Sequence, residues 1–304
     1  MTSRRSWKDI HGILLLDKRL GISSNRALQE AKRLYQANKA GHTGSLDPLA
    51  TGLLPVCFGA ATKISGMLLD DNKRYQVQVQ LGIKTDTGDL EGNIIESKPV
   101  PEVSIQTLKV ILEKFTGPQD QIPPMYSALK QDGKKLYELA RNGITVERKA
   151  RHITIFELTL LSYQNDILEL DVYCSKGTYI RTLAEDIGQE LGCGATVKAL
   201  RRTQVGQFSI DQAITITQLE NLDEQSLISR LIAVDTPLQT LPAIQLNNQQ
   251  TVNIRYGQTL NLELNIEKAL YGSVRMYHEN EFLGLGEMRL DGKLAPKKLF
   301  NLNT

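Results

Sequence analysis

The sequence predicts an α/β (α+β) protein in which one large domain precedes a small β-rich one, and three stretches predict it. Tyr75-Gln-Val-Gln-Val-Gln-Leu81 alternates apolar and polar residues without a fault, the period of a strand with one face on a core. Leu168-Glu-Leu-Asp-Val-Tyr-Cys174 repeats that period and turns at Ser175-Lys-Gly177. It then changes to helical spacing with Ile180, Leu183, Ile187 and Leu191, until Gly192 stops the helix. From residue 243 onward, short strand-like runs are broken by Gly257, Gly272, Gly284, Gly286 and Gly292, the pattern of a small β-barrel of about 60 residues.

The remaining elements follow in chain order. Gly12-Ile-Leu-Leu-Leu-Asp17 reads as a buried strand, and Ser23 or Ser24 caps a helix carrying Ala27, Leu28, Ala31 and Leu34 on one side. The next segment, from Lys39 to Gly52, holds too many breakers for a helix and too many specific polar groups for a mere connector. It is the first candidate site. Arg181 falls in the first turn of its helix, where the macrodipole disfavours a cation, so packing or function placed it there. Ala195 to Arg202 is a further strand, and the Gln/Glu-rich stretch from about 218 to 240, ending in Thr-Pro-Leu-Gln-Thr-Leu-Pro242, reads as a linker region.

Composition narrows the function. With 41% hydrophobic and 23% charged residues the chain is ordinary globular protein. No apolar run reaches the roughly 20 residues of a membrane helix, and the start lacks the apolar core of a secretory signal, so no membrane association and a cytoplasmic location are expected. Cys57, Cys174 and Cys193 form no C-x-x-C pair and are read as buried thiols, and His42, His152 and His278 are too dispersed to suggest a metal centre. Neither a P-loop nor a dinucleotide glycine motif is present. What remains is chemistry run by a carboxylate in a pocket, with no metal and no cofactor expected. The net charge is only +2, yet residues 1–63 hold ten Lys and Arg against four acids, a net of +6. Residues 128–152 hold seven against three, a net of +4. Two basic segments on a nearly neutral chain suggest a localised polyanion footprint.

The segment Gly41-His-Thr-Gly-Ser-Leu-Asp-Pro-Leu-Ala-Thr-Gly52 resembles the catalytic motif of pseudouridine synthases of the TruB type. The resemblance continues, in order, through Gly12 to Lys18, Lys73-Arg-Tyr75, Thr85-Asp-Thr-Gly-Asp89, Gln121-Ile-Pro-Pro-Met-Tyr-Ser-Ala-Leu-Lys130, Cys174 to Arg181 and Leu200-Arg-Arg202. It implies a catalytic domain over residues 1–240 built on a mixed, largely antiparallel sheet, with a basic RNA-gripping insertion at about 124–152. A PUA-like RNA-binding domain at 243–304 would follow.

The activity implied is isomerisation of uridine 55 in the T arm of tRNA, by a monomer without cofactor. The implied site has Asp47 as catalytic carboxylate, Arg181 as its ion-pair partner and Tyr75 stacked on the target uracil. Tyr179 and Leu200 are carried over as base-pocket residues, and His42 as the ring that fills the place of the flipped base. These residue types fit the reaction, in which the C1′–N1 bond breaks, uracil turns and C5 is joined to C1′. An ionised carboxylate beside C1′ can act as a nucleophile on the sugar or as the base for a C2′ proton. Two alternatives stay open: an RNA-guided relative acting on ribosomal RNA, and an RNA-folding protein whose catalysis is secondary.

Overall fold

The computed structural model describes residues 7–262 and 271–302. Arg4 and Arg5, counted above in the first basic segment, and the first six residues of the start lie outside the described residues.

A ten-stranded sheet forms the body of the molecule. Its ladder runs Ile214–Thr215, Gly12–Lys18, Ala50–Phe58, Ala195–Val205, Lys73–Leu81, Ile167–Cys174, Arg151–Gln164 and Gly117–Gln121. Ala40–His42 pairs with Ala50–Phe58, and Phe208–Ser209 with Ala195–Val205. Only two pairings are parallel, that of Gly12–Lys18 with Ile214–Thr215 and that of Ala195–Val205 with Ala50–Phe58. The sheet is therefore mixed and largely antiparallel, as the resemblance implied.

The helix Ser24–Leu34 lays Ala27, Leu28 and Ala31 on Leu14, Leu16, Leu54 and Val56. Its cap is Ser23, whose hydroxyl accepts from the N–H of Arg26 at 3.2 Å. The helix Ile180–Glu190 lays Leu183, Ala184 and Ile187 on Val77, Val79, Leu168 and Leu170. Both helices cover the same face of the sheet, and Tyr75 and Leu200 pack against both of the cores so formed. They mark the line along which the two halves meet.

The opposite face carries Ile13, Leu15, Leu53 and Cys57, which pack with Val234 and Leu238 and with Phe282, Leu285 and Phe300 of the C-terminal region. The stretch 218–240 is therefore a correction to the linker reading. It holds the short helices Ile216–Leu219 and Glu224–Ser229 and a 3-10 turn at Thr236–Leu238, with Leu219, Val234 and Leu238 buried. Its polar residues are one exposed side of a packed segment. The C-terminal region is a five-stranded sheet in the order Ala243–Gln245, Gly272–His278, Glu281–Met288, Lys293–Leu299 and Leu260–Asn261, with the helix Asn248–Arg255 against it. Its end strands do not pair among the described residues, and the sheet curls into a half-barrel, in keeping with the small PUA-like β-barrel expected.

Candidate active site

One rung of the main sheet organises the site. Lys18 pairs with Gly52, Gly52 with Arg202, Arg202 with Tyr75 and Tyr75 with Val172. Lateral partners project to the same face, so two cations and a phenol share the face covered by the two helices. Gly52 between them has φ +103°, and a Cβ there would lie 2.3 Å from the Arg202 carbonyl oxygen. Only glycine fits that close approach.

The segment expected to be a loop begins in Ala40–His42 and ends in Ala50–Phe58, so only residues 43–49 leave the sheet. Buried side chains hold the backbone at alternate residues. Arg202 Nη2 donates to the Gly44 carbonyl at 3.1 Å. The Ser24 hydroxyl accepts from the Leu46 N–H at 2.7 Å and donates to the Leu46 carbonyl at 3.0 Å. Lys18 Nζ donates to the Ile22 carbonyl at 2.7 Å and reaches the Pro48 carbonyl at 3.5 Å. Asp47 is thus presented by a segment fixed on both sides of it.

Asp47 and Arg181 meet, Nη2 to Oδ2, at 3.1 Å, with 43% of the Asp47 side chain open to solvent and only 6% of Arg181. Arg181 also donates to the Thr87 carbonyl at 2.8 Å and to the Tyr126 carbonyl at 2.7 Å. Its Nη1 lies 3.8 Å from Asp89 Oδ2. Burial in the cleft walls pushes the Asp47 carboxyl above the ordinary carboxylate range, Arg181 opposes this, and Asp89 adds to it. The expected downward pull of Arg181 is present, and burial outweighs it.

Asp89 is a member of the site that sequence reasoning did not single out. The Thr85-Asp-Thr-Gly-Asp89 motif was its only signal. Its Oδ1 accepts from the Thr87 hydroxyl at 2.6 Å and the Glu91 N–H at 3.2 Å, which aims the other oxygen at Arg181.

Tyr75 packs against both cores on the helix-covered face of the sheet, and burial raises its phenol pKa while the Arg202 guanidinium opposes that rise. Both Tyr75 and Tyr179 lie within electrostatic reach of Asp47. Tyr179 caps the Arg181 helix, and its peptide is gripped by Gln121, whose Oε1 accepts from the Tyr179 N–H at 2.7 Å while Nε2 donates to its carbonyl at 3.1 Å. Leu200 pairs with Ala50 and Val77, two residues from Arg202 on the same face of the sheet. Leu49 and Leu200 also line a cavity of about 400 Å³, which Asp47, Tyr75 and Arg181 do not line. His42 ends its strand with a buried Nδ1 that has no hydrogen-bond partner among the described residues, and burial with the nearby Arg202 charge lowers its pKa, which favours the neutral ring near neutral pH. The structure thus brings the six expected residues to one face, with only Asp47 and Arg181 in direct ionic contact.

Within residues 128–152, Lys130–Gln131 pairs with Lys134–Lys135 as a two-stranded ribbon followed by the helix Leu136–Arg141, and Arg151 and His152 already belong to the main sheet. Lys130, Lys134, Arg141 and Lys149 are exposed. Among the described residues, no cluster of three or more His, Cys, Asp or Glu has a metal-binding arrangement, and no helix is long and apolar enough to cross a membrane.

The chain matches the model of the TruB family pseudouridylate synthase N-terminal domain over residues 32–180. It matches the tRNA pseudouridylate synthase B C-terminal domain over 181–239 and a further TruB C-terminal model over 242–300. It is 49% identical to the tRNA pseudouridine synthase B of Actinobacillus pleuropneumoniae, covering 98% of this chain and 99% of that one. With the enzyme of the same name from Nitrosococcus oceani it is 51% identical, covering 96% and 95%. Its fold is similar to that of a solved Cbf5-Nop10-Gar1 complex, with a TM-score of 0.71 at 23% identity over 96% of this chain and 85% of that one.

Proposed function

This chain belongs to the TruB family of pseudouridylate synthases, and from that premise we propose that it isomerises uridine 55 in the T arm of tRNA to pseudouridine with Asp47 as the catalytic group. The observation that carries the assignment of Asp47 is its pairing with Arg181 at 3.1 Å, an almost fully covered cation facing a carboxylate that solvent still reaches. A substrate can approach that carboxylate, and Arg181 opposes the neutralising effect of burial.

Asp47 acts at the ribose, either as a nucleophile at C1′ or as the base for the C2′ proton, while the C1′–N1 bond breaks and its electron pair leaves with uracil. Uracil then turns over the Tyr75 ring and C5 joins C1′, as the Asp47–C1′ bond breaks on the nucleophilic route or as Asp47 returns the proton to C2′ on the other, after which C5 loses its proton to solvent and N1 gains one. Tyr75 is assigned to stacking rather than to proton removal, because a phenol whose pKa is raised by burial is a weaker acid than usual and is less available as a phenolate near neutral pH. Tyr179 and Leu200 wall the base pocket. The neutral His42 ring fills the space left when the uridine is extruded from its loop.

The exposed bases of 128–152 contact T-arm phosphates, and residues 243–304 form the RNA-binding domain that follows the catalytic domain of 1–240. The protein acts in the cytoplasm, as a monomer, with no metal or cofactor. The deciding experiment is tritium release from a T-arm stem-loop transcribed with 5-tritiated uridine, run with wild type and Asp47→Asn. One equivalent released at position 55 by the wild type alone is expected. Equal release by both proteins would remove Asp47 from the chemistry.

A further inference from the structure

Arg202 is among the largest fully buried side chains of the molecule, with 1% of its surface exposed. Buried guanidinium groups are ordinarily matched by a carboxylate. The polar partners of this one are main-chain carbonyls: Nε donates to Leu53 at 2.8 Å and Nη2 to Gly44 at 3.1 Å. Gly44 lies between His42 and Asp47 where the segment leaves the sheet, and Leu53 lies just past its return. The Arg202 main chain packs against Gly52 at that return and pairs with Tyr75 on the adjoining strand, where the guanidinium charge opposes the rise in the Tyr75 phenol pKa.

We propose that Arg202 is a positioning residue for the isomerisation, a strut that fixes the segment bearing His42 and Asp47 relative to the stacking ring of Tyr75. The geometry requires the fork of an arginine. Nε and Nη2 leave the planar head in fixed directions and reach two carbonyls at opposite ends of the segment, whereas a lysine ammonium would sit as a point donor on a flexible stem. A neutral unbranched side chain would fill much of the volume but hold neither carbonyl. The proposal rests on the functional reading above, and it separates from a purely architectural role because Asp47, Tyr75 and Arg181 arrive from three different elements. A shift of about 1 Å between such groups costs on the order of 100-fold in rate.

The test uses the full chain as wild type, Arg202→Met and Arg202→Lys, and the T-arm stem-loop with 5-tritiated uridine. It compares single-turnover rate at saturating enzyme, the RNA dissociation constant and the urea unfolding midpoint. Arg202→Met is expected to fold cooperatively and to bind RNA within about threefold of wild type while losing on the order of 100-fold in rate. Arg202→Lys, which can engage one carbonyl at a time, should recover about tenfold of that loss. A Met variant turning over within threefold of wild type would overturn the proposal. So would a rate loss in both variants matched by an equal loss of affinity or by unfolding. Tritium release by the wild type, measured first, decides the functional reading separately.

Discussion

The Ser24 hydroxyl holds both ends of the Leu46 residue, accepting its N–H at 2.7 Å and donating to its carbonyl at 3.0 Å, one position before Asp47. Ser24 and Leu46 are both buried, which shields these bonds from solvent. Removing it with Ser24→Ala leaves a buried N–H and C=O unpaired, which costs about 1–3 kcal/mol. The variant is expected to unfold at lower urea by that amount and, because the segment before Asp47 loosens, to lose on the order of 10-fold in single-turnover rate. A variant as stable and as fast as wild type would show that the hydroxyl pairing does not position the catalytic segment.

Arg181 and Asp89 pull on Asp47 in opposite directions, and that gives a paired test. The Asp47 carboxyl must be ionised to act, so the rate falls as pH drops through its pKa, which burial has already raised. Arg181→Met removes the charge that opposes burial, and the acid limb of the pH–rate profile should move to higher pH by about 1–3 units. Asp89→Asn keeps an oxygen for the Thr87 and Glu91 bonds but removes the like charge that adds to the rise, so the limb should move to lower pH. Limbs that shift in the same direction in both variants would mean that Asp47 is not the group being titrated.

Lys73 is buried, with Nζ on the carbonyls of Leu69 at 2.6 Å and Asp71 at 2.5 Å, and burial lowers its pKa from 10.5 to about 8. A folded-state pKa below the unfolded one means that between about pH 8 and 10.5 the unfolded chain binds the proton and the folded chain has released it. Stability attributable to Lys73 therefore rises with pH in that window. Cys57 and Cys174 act in the opposite sense from about pH 9 upward, because burial holds their thiols protonated to about 12 in the folded state. Between pH 8 and 9 the thiols contribute little, and Lys18, also lowered by burial to about 8, titrates in both proteins and cancels in the comparison. Over that interval the wild type should gain up to about 1 kcal/mol relative to Lys73→Met in urea unfolding, a difference that comes from the lysine alone. Identical pH dependence in the two proteins would refute the lowered pKa.

The period-2 strand ending in Leu81, the Ser23 cap and the Gly192 stop were legible because each depends on neighbours in sequence. The strand Ala50–Phe58 was harder to read: it starts within the glycine-rich segment and is buried on both faces, so it shows no alternation. The stretch 218–240 read as a linker because its buried residues, Leu219, Val234 and Leu238, are few and widely spaced among polar ones. Asp47 and Arg181 were marked by their motifs, and their contact is long-range. What composition hid was the burial of Lys18, Lys73 and Arg202, since a basic residue in a sequence reads as surface until main-chain carbonyls are seen to receive it, those of Ile22 and Leu69 four residues away for the two lysines and that of Leu53 on a distant strand for Arg202.

The segment 128–152 supplies the last prediction. Lys130, Lys134 and Lys149 are exposed, and none of the three donates a side-chain hydrogen bond that stabilises the fold among the described residues, so replacing them by alanine should leave the unfolding midpoint within about 0.5 kcal/mol of wild type. If they neutralise T-arm phosphates, each lost contact reduces the slope of log K against log salt by about 0.7 to 0.9. The triple variant should therefore bind the stem-loop more weakly at low salt, with a slope smaller by about 2 to 3, and should match wild type in single-turnover rate once saturated. An unchanged slope would mean that the phosphates are held elsewhere on the molecule. A changed rate at saturation would mean that the segment also shapes the pocket, which it adjoins just after Tyr126, whose carbonyl accepts from Arg181.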